Sequence, residues 1–233
     1  MKGVVVTTSW DDGHIADITL ATLLAKYNLA ATFYIAPENR QLSASNRLTK
    51  EQVRGMADRF EIGAHTMTHP RLSAIGAAAA REEILTSKST LEHWTGKKIT
   101  SFCYPEGRYT PEHKSMVKDA GFSLARTIER FSLTTGTDAF ALPTTVQGYR
   151  HWSDIIPIFR QAGAVHFIKQ YLNWDDLAIA LFEKTKVRGG VFHLWGHSWE
   201  IHKNNDWGRL ERVFRHISNH KDVDYLSNGQ LTI

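Results

Sequence analysis

Short β-branched or apolar runs alternate with amphipathic stretches along nearly the whole chain, and this alternation limits the fold more than any other feature. Runs at 4–9, 31–35, 60–64, 99–104, 122–126, 191–195 and 223–226 read as strands. Between the first two, Ile15, Ile18, Leu20, Leu23 and Leu24 recur at helical spacing, and Asn28 supplies a stop. A further helix opens at Thr49, with Gln52 three residues on as a capping box requires. Helices are also expected over 77–94, over 111–120 with proline in the first turn, and over 152–161, 174–186 and 206–219. Strands that alternate with helices pair in parallel, because each crossover helix returns the chain to the same end of the sheet. About seven such units favour a closed or nearly closed barrel over a flat doubly wound sheet. Residues 129–150 are the least regular and read as an inserted loop or excursion.

Composition narrows the class of protein. The 233 residues suffice for one large α/β domain with a substantial core. No run approaches the roughly 18 apolar residues of a membrane span. The run 1–6 is too short to be read as a signal peptide. Cys103 is the only cysteine, which rules out an internal disulfide and suits a reducing compartment, so a cytoplasmic location is expected. The net charge is +4, and the basic residues are scattered rather than gathered in a stripe, which speaks against a nucleic-acid partner. Oligomeric state leaves no mark on the sequence.

Two strand ends carry the chemistry. Thr8-Ser9-Trp10-Asp11-Asp12-Gly13 closes the first strand, and His65-Thr66-Met67-Thr68-His69 follows the third. In parallel α/β folds, that edge is where loops from several strands meet. Two imidazoles and one carboxylate with open positions suit Zn²⁺ or another divalent transition metal, which would acidify a water and polarise a carbonyl. The second carboxylate is then left over as a general base. Neighbouring side chains on a strand point to opposite faces, but a turn at Gly13 can bring both aspartates into one pocket. Asp-Asp-Gly by itself reads equally well as a plain turn. Gly63 and Pro70 flank the histidine pair and argue for a loop-borne helical turn rather than a long helix.

Together these strings resemble the polysaccharide deacetylase family (NodB-homology domain, carbohydrate esterase family four), whose motifs are T-F-D-D-G and H-[ST]-x-x-H. The resemblance implies a distorted (β/α) barrel with fewer than eight strands, here a (β/α)7-type barrel formed as a single domain by residues 1–233. It implies Asp11 as catalytic base and Asp12, His65 and His69 as metal ligands. The family's third motif, R-x-P-x-G, is matched by Cys103-Tyr104-Pro105-Glu106-Gly107, with Cys103 in the place of the arginine that orients the base. Arg126, just after the next strand, is the first candidate for the missing guanidinium, and Arg108 the second. The backbone N–H of Glu106 would help bind the oxyanion, a role that tolerates any side chain. The family's closing motif ends in a histidine that protonates the leaving group. Here His197 stands at the loop end of its strand and is preferred, while His193 lies deeper and reads as a core histidine. Glu200 either orients His197 or faces solvent. Trp195 and Trp199 suggest an aromatic wall for a sugar ring.

The resemblance thus implies a metal-dependent hydrolase that removes the N-acetyl group from an amino sugar or N-acetylated saccharide. Zinc is the first expectation for the cofactor, with Co²⁺, Mn²⁺ or Ni²⁺ as alternatives. Two rival readings are an amidase acting on a non-sugar C–N bond, of the allantoinase-like kind, and a sugar-binding member without turnover.

Overall fold

The computed structural model describes residues 3–233, the side chains of 163–165 excepted. Residues 1 and 2, part of the run read as too short for a signal peptide, lie outside the described residues.

Eight strands form one parallel sheet. They are β1 (Val4–Asp12), β2 (Thr32–Ile35), β3 (Glu61–Ala64), β4 (Ser101–Cys103), β5 (Leu124–Arg126), β6 (Val146–Gln147), β7 (Gly190–Gly196) and β8 (Val223–Tyr225). Seven of them follow the spatial order β5-β4-β3-β2-β1-β7-β6. The eighth, β8, pairs with Val4–Val6 of β1, while β2 pairs with Ser9–Asp12, so β1 carries different partners at its two ends. β7 pairs with β1 from Val4 to Trp10.

The two edge strands are joined by chain that forms only an isolated bridge. Arg126 bridges Leu142, and the Thr127 amide donates to the Leu142 carbonyl at 2.9 Å. Further on, the Phe131 amide donates to Thr145 at 2.9 Å, the Thr145 amide to His193 at 3.0 Å and the Gly148 amide to Trp195 at 2.7 Å. The stretch expected to be an excursion is therefore the stave between β5 and β7. Its one strand, β6, spans two residues, too few for a periodic signal. The result is a curled, barrel-like parallel sheet with flanking helices, as expected; the strands number eight where fewer were expected, because the two-residue β6 and the off-path β8 each add a short stave.

The helices are α1 (Asp17–Lys26), α2 (Lys50–Ala57), α3 (Ala77–Thr95), α4 (Pro111–Asp119), α5 (Ile155–Leu172), α6 (Trp174–Arg188), α7 (Ser198–Lys203) and α8 (Trp207–Ile217). Thr49 and Gln52 form the expected capping box on α2, and α3 ends at Gly96, whose φ of 68° is the left-handed stop glycine adopts at little cost. Two expectations need correction. The helix expected over 152–161 runs on to Leu172, because no proline or cap interrupts it after Pro157. The short α7 was not anticipated; its six residues are too few for a helical pattern. Among the described residues, no helix is long and apolar enough to cross a membrane.

The core fills the space between sheet and helices, with Trp10, Phe33, Phe102, Phe182, Phe192 and Phe214 wholly buried. One polar pin crosses it. Asn228, near the C-terminus, accepts from the Thr7 hydroxyl at 2.8 Å and donates to the Tyr34 hydroxyl at 2.9 Å. Such a buried amide is tolerable because its partners are present.

Candidate metal centre

The candidate ligands, base and acid sit at the C-terminal rim of the parallel strands, where β1, β3, β4, β5 and β7 end. β1 continues three residues beyond the expected Ser9, so both aspartates are on the strand. Asp12 adopts φ 84° and Gly13 φ 71°. The left-handed turn at Asp12 itself breaks the alternation of side chains and brings both carboxylates to one pocket.

The 65–69 segment departs from expectation as well. It is an irregular bend rather than a helical turn, with Thr66 at φ 64° and His69 at φ 61°. Non-glycine residues in this region each cost on the order of 1–3 kcal/mol, so the surroundings must enforce the shape. They do so from two sides. The Glu38 and Arg40 amides donate to the Met67 and Thr68 carbonyls at 2.8 and 3.2 Å. The Glu83 carboxylate of α3 takes up the Met67 and Thr68 amides, each at 2.8 Å.

The bend brings His65 Nε2 and His69 Nε2 to 3.1 Å from each other. Asp12 Oδ1 lies 3.3 Å from His69 Nε2 and 3.8 Å from His65 Nε2. His65 Nδ1 is 2.8 Å from the Cys103 carbonyl, which only accepts, so Nδ1 carries the proton and Nε2 a bare lone pair. Burial, and then the neighbouring His69, push the His65 imidazole down to about 4, which keeps it neutral. Asp12 Oδ1 is buried with no hydrogen-bond partner among the described residues. Its other oxygen accepts from Trp199 Nε1 at 2.8 Å. Burial alone would raise the Asp12 carboxyl, but His197, His69, His65 and the Trp199 bond together bring it below its usual range. An orphaned carboxylate oxygen and two converging imidazole nitrogens, all within 4.8 Å of one another, fit a cation and little else.

Asp11 stands beside this group. It shares a second such cluster with His65 and Cys103. Burial pushes the Cys103 thiol well up, so it is a protonated donor rather than a thiolate ligand, 3.7 Å from Asp11 Oδ2. Asp11 Oδ1 accepts from Arg126 Nη2 in a buried ion pair. Cys103 and Arg126 are register partners on neighbouring strands, so the guanidinium reaches the rim one strand over from the position the motif assigns to it. The Arg126 guanidinium lies 5.3 Å from the Tyr34 ring centroid and 4.6 Å from that of Trp195. Arg108, the second candidate, is exposed.

On the opposite side stands His197. Its Nδ1 is 2.6 Å from Glu200 Oε2, and its Nε2 is 3.9 Å from Asp12 Oδ2. Burial works against the imidazolium, but the Asp12 charge, the Glu200 hydrogen bond and the Glu200 charge push His197 up to about 9. Glu200 is thus hydrogen-bonded to His197 rather than turned to solvent. His193 is buried with Nε2 2.8 Å from the Ser9 hydroxyl, a core position. Trp195 is buried behind Arg126 and does not face solvent as a sugar wall would, because β7 turns it into the barrel. Glu106 adopts φ 55°, and its side chain pairs outward with Arg71, at 2.7 Å from Nε. The sequence reading missed Trp199 as a partner of Asp12, and Glu83. The i, i+15 spacing of Thr68 and Glu83 and the i, i+187 separation of Asp12 and Trp199 leave no local pattern to find.

Fold and site together define a parallel α/β barrel-type protein with a carboxylate–imidazole pocket on its C-terminal rim. The chain belongs to the polysaccharide deacetylase family, whose sequence profile matches residues 1–125, more than half of its length. Solved structures share the fold. The deacetylase PplD of Streptococcus pyogenes, in complex with acetate, superposes with a TM-score of 0.55 at 21% identity, over 59% of this chain and 62% of that one. A Mycobacterium smegmatis protein described as a polysaccharide deacetylase superposes at 0.67 and 16% identity, over 98% of this chain and 88% of that one. A family 4 carbohydrate esterase from Streptomyces lividans, in complex with acetate, gives 0.57 at 16% identity over 95% and 91%. The chain thus spans less than two thirds of the streptococcal protein. No curated protein matches the sequence.

Proposed function

We propose that this chain is a metal-dependent hydrolase that removes the acetyl group from the nitrogen of an amino sugar or N-acetylated saccharide. The observation that carries the reading is a division of labour between adjacent aspartates. Asp12 converges with both His65 and His69, whereas Asp11, which clusters with His65 and Cys103, has its Oδ1 tied to Arg126.

Asp12, His65 and His69 would hold a divalent cation, with Zn²⁺ first among those that suit two imidazoles and a carboxylate. When bound, that cation supplies Lewis acidity toward the acetamido carbonyl and the attacking water. Asp11 takes the proton from that water. Its Oδ1 is engaged by Arg126, and its Oδ2 meets only the weak thiol donor of Cys103, which leaves Oδ2 free to act as base. The backbone N–H of Glu106 donates to the oxyanion as the carbonyl carbon becomes tetrahedral. His197, protonated and oriented through Nδ1 by Glu200, gives a proton to the departing nitrogen from Nε2. The products are acetate and a free amino sugar.

The test is a metal-replete assay with acetate detection on monomeric and oligomeric N-acetylated sugars, run beside cyclic and linear ureides. Acetate from sugars alone is expected. Turnover of ureides without acetate release overturns the substrate assignment. Asp11→Asn should lower turnover by about 10²–10⁴-fold or more, the worth of a general base, with the metal still bound. His65→Ala and His69→Ala should lose the metal itself, measured by elemental analysis after dialysis. A protein that binds zinc, deacetylates nothing and is indifferent to Asp11→Asn is a binding module instead.

A further inference from the structure

Glu83 sits on α3, and its carboxylate spends all its observed bonds on the bend between the two histidines. Oε2 accepts from the Met67 and Thr68 amides at 2.8 Å each, and Oε1 accepts from the Thr68 hydroxyl at 2.6 Å. All three donors lie strictly between His65 and His69. The carbonyls of the same two residues are taken on the other side by the Glu38 and Arg40 amides. The bend is therefore gripped between two walls, of which one is backbone and the other is a single side chain.

The grip matters because the bend is costly in two ways. Thr66 and His69 are both in the left-handed region, which non-glycine residues avoid. The bend also aims two imidazole nitrogens at one another at 3.1 Å, an arrangement with no attraction of its own when both carry lone pairs. Without an external hold, the segment would relax and the nitrogens would part. Charge-assisted bonds from backbone amides to a carboxylate are among the stronger bonds available for such a task.

We propose that Glu83 is a positioning residue that preorganises His65 and His69 for the cation. This rests on the reading that a cation is held there. Glu83 touches neither cation nor substrate and acts through the bend. Its removal should weaken metal binding by about 10–100-fold, as for other outer partners of metal ligands.

The experiment measures Co²⁺ affinity by competition with a chromogenic chelator, together with the visible absorption of the Co²⁺ protein. Glu83→Ala should show the full loss of affinity and an altered Co²⁺ spectrum. Glu83→Gln keeps one acceptor and should fall between wild type and Glu83→Ala. Glu82→Gln, which removes the same charge from the exposed neighbouring position, should bind Co²⁺ like wild type. Thr68→Val should cost affinity in the wild type and nothing further in Glu83→Ala. Should Glu83→Ala fail to fold, Glu83→Gln and Thr68→Val, each of which removes only part of the grip, carry the test. A variant that melts earlier yet binds Co²⁺ within twofold of wild type gives Glu83 a merely structural role and overturns the proposal. A wild-type protein that takes up no Co²⁺ overturns the metal-centre reading itself, a result distinct from the first.

Discussion

Asp11 enters the pocket with its Oδ1 already engaged by Arg126, and Arg126 is itself wholly buried with Tyr34 on one side and Trp195 on another. The guanidinium is thus fixed by packing as well as by charge. Breaking a buried pair by removing one member leaves an uncompensated charge and costs about 3–5 kcal/mol. Arg126→Gln should lose stability of that order in denaturant unfolding, and activity should fall with it because the proposed base is no longer held. Arg126→Lys should rescue little, since a lysine can neither fork toward a carboxylate nor stack on the two rings. A midpoint for Arg126→Gln close to wild type would show that water replaces the guanidinium. The residues carrying this chemistry differ in how legible they are. Asp11, Asp12, His65 and His69 could be read directly, because each pair lies within one short string. Arg126 was reachable because it ends the strand next to Cys103. Trp199 and Glu83 were hidden, because their partners are close only in space.

At the scale of elements, the strand ends decide where the candidate ligands stand. Gly63 in β3 lies against the face of Tyr34; a Cβ there would come within 2.5 Å of the ring and 2.7 Å of the Ser101 hydroxyl. Glycine at this position lets β2, β3 and β4 approach, and His65 follows two residues later. Gly63→Ala should destabilise the protein by roughly 1–3 kcal/mol through overpacking, and because the strain falls beside the bend, metal affinity should drop as well. Unchanged affinity together with lowered stability would uncouple the strand from the site. Long periodic elements were foreseeable, as α3 and α8 show. Short ones were not. Two residues of β6 and six of α7 are fixed by what they pack against, not by a pattern of their own. The shape of the 65–69 bend was likewise invisible, since positive φ at a threonine and a histidine follows from the grip of neighbouring segments and not from local preference.

For the molecule as a whole, the proposed acid has a consequence for stability. His197 titrates at about 9 in the metal-free fold against 6.5 for an ordinary histidine, because Asp12 and Glu200 favour its charged form. A raised histidine binds its proton more tightly in the folded chain than in the unfolded one. Its contribution is full below about 6.5 and is lost as the pH climbs through about 9. Comparing metal-free wild type with His197→Gln cancels the other titrating groups. The stability difference between them should therefore be largest near pH 6 and shrink steadily toward pH 9.5, measured by thermal unfolding in the presence of a chelator. A difference that is flat across this range would mean that His197 is not held as an imidazolium.

The sheet is continuous strand pairing except along the stave that joins its edges, from Thr127 to Gly148, where only a single bridge and the two residues of β6 pair. One border of that joint is Arg126, which holds Asp11; the other includes Gln147, 3.4 Å from the Glu200 oxygen that steadies His197. The proposed base and the proposed acid are thus tethered to opposite lips of the same seam. Anything that pries the seam apart pulls Asp11 and His197 away from each other.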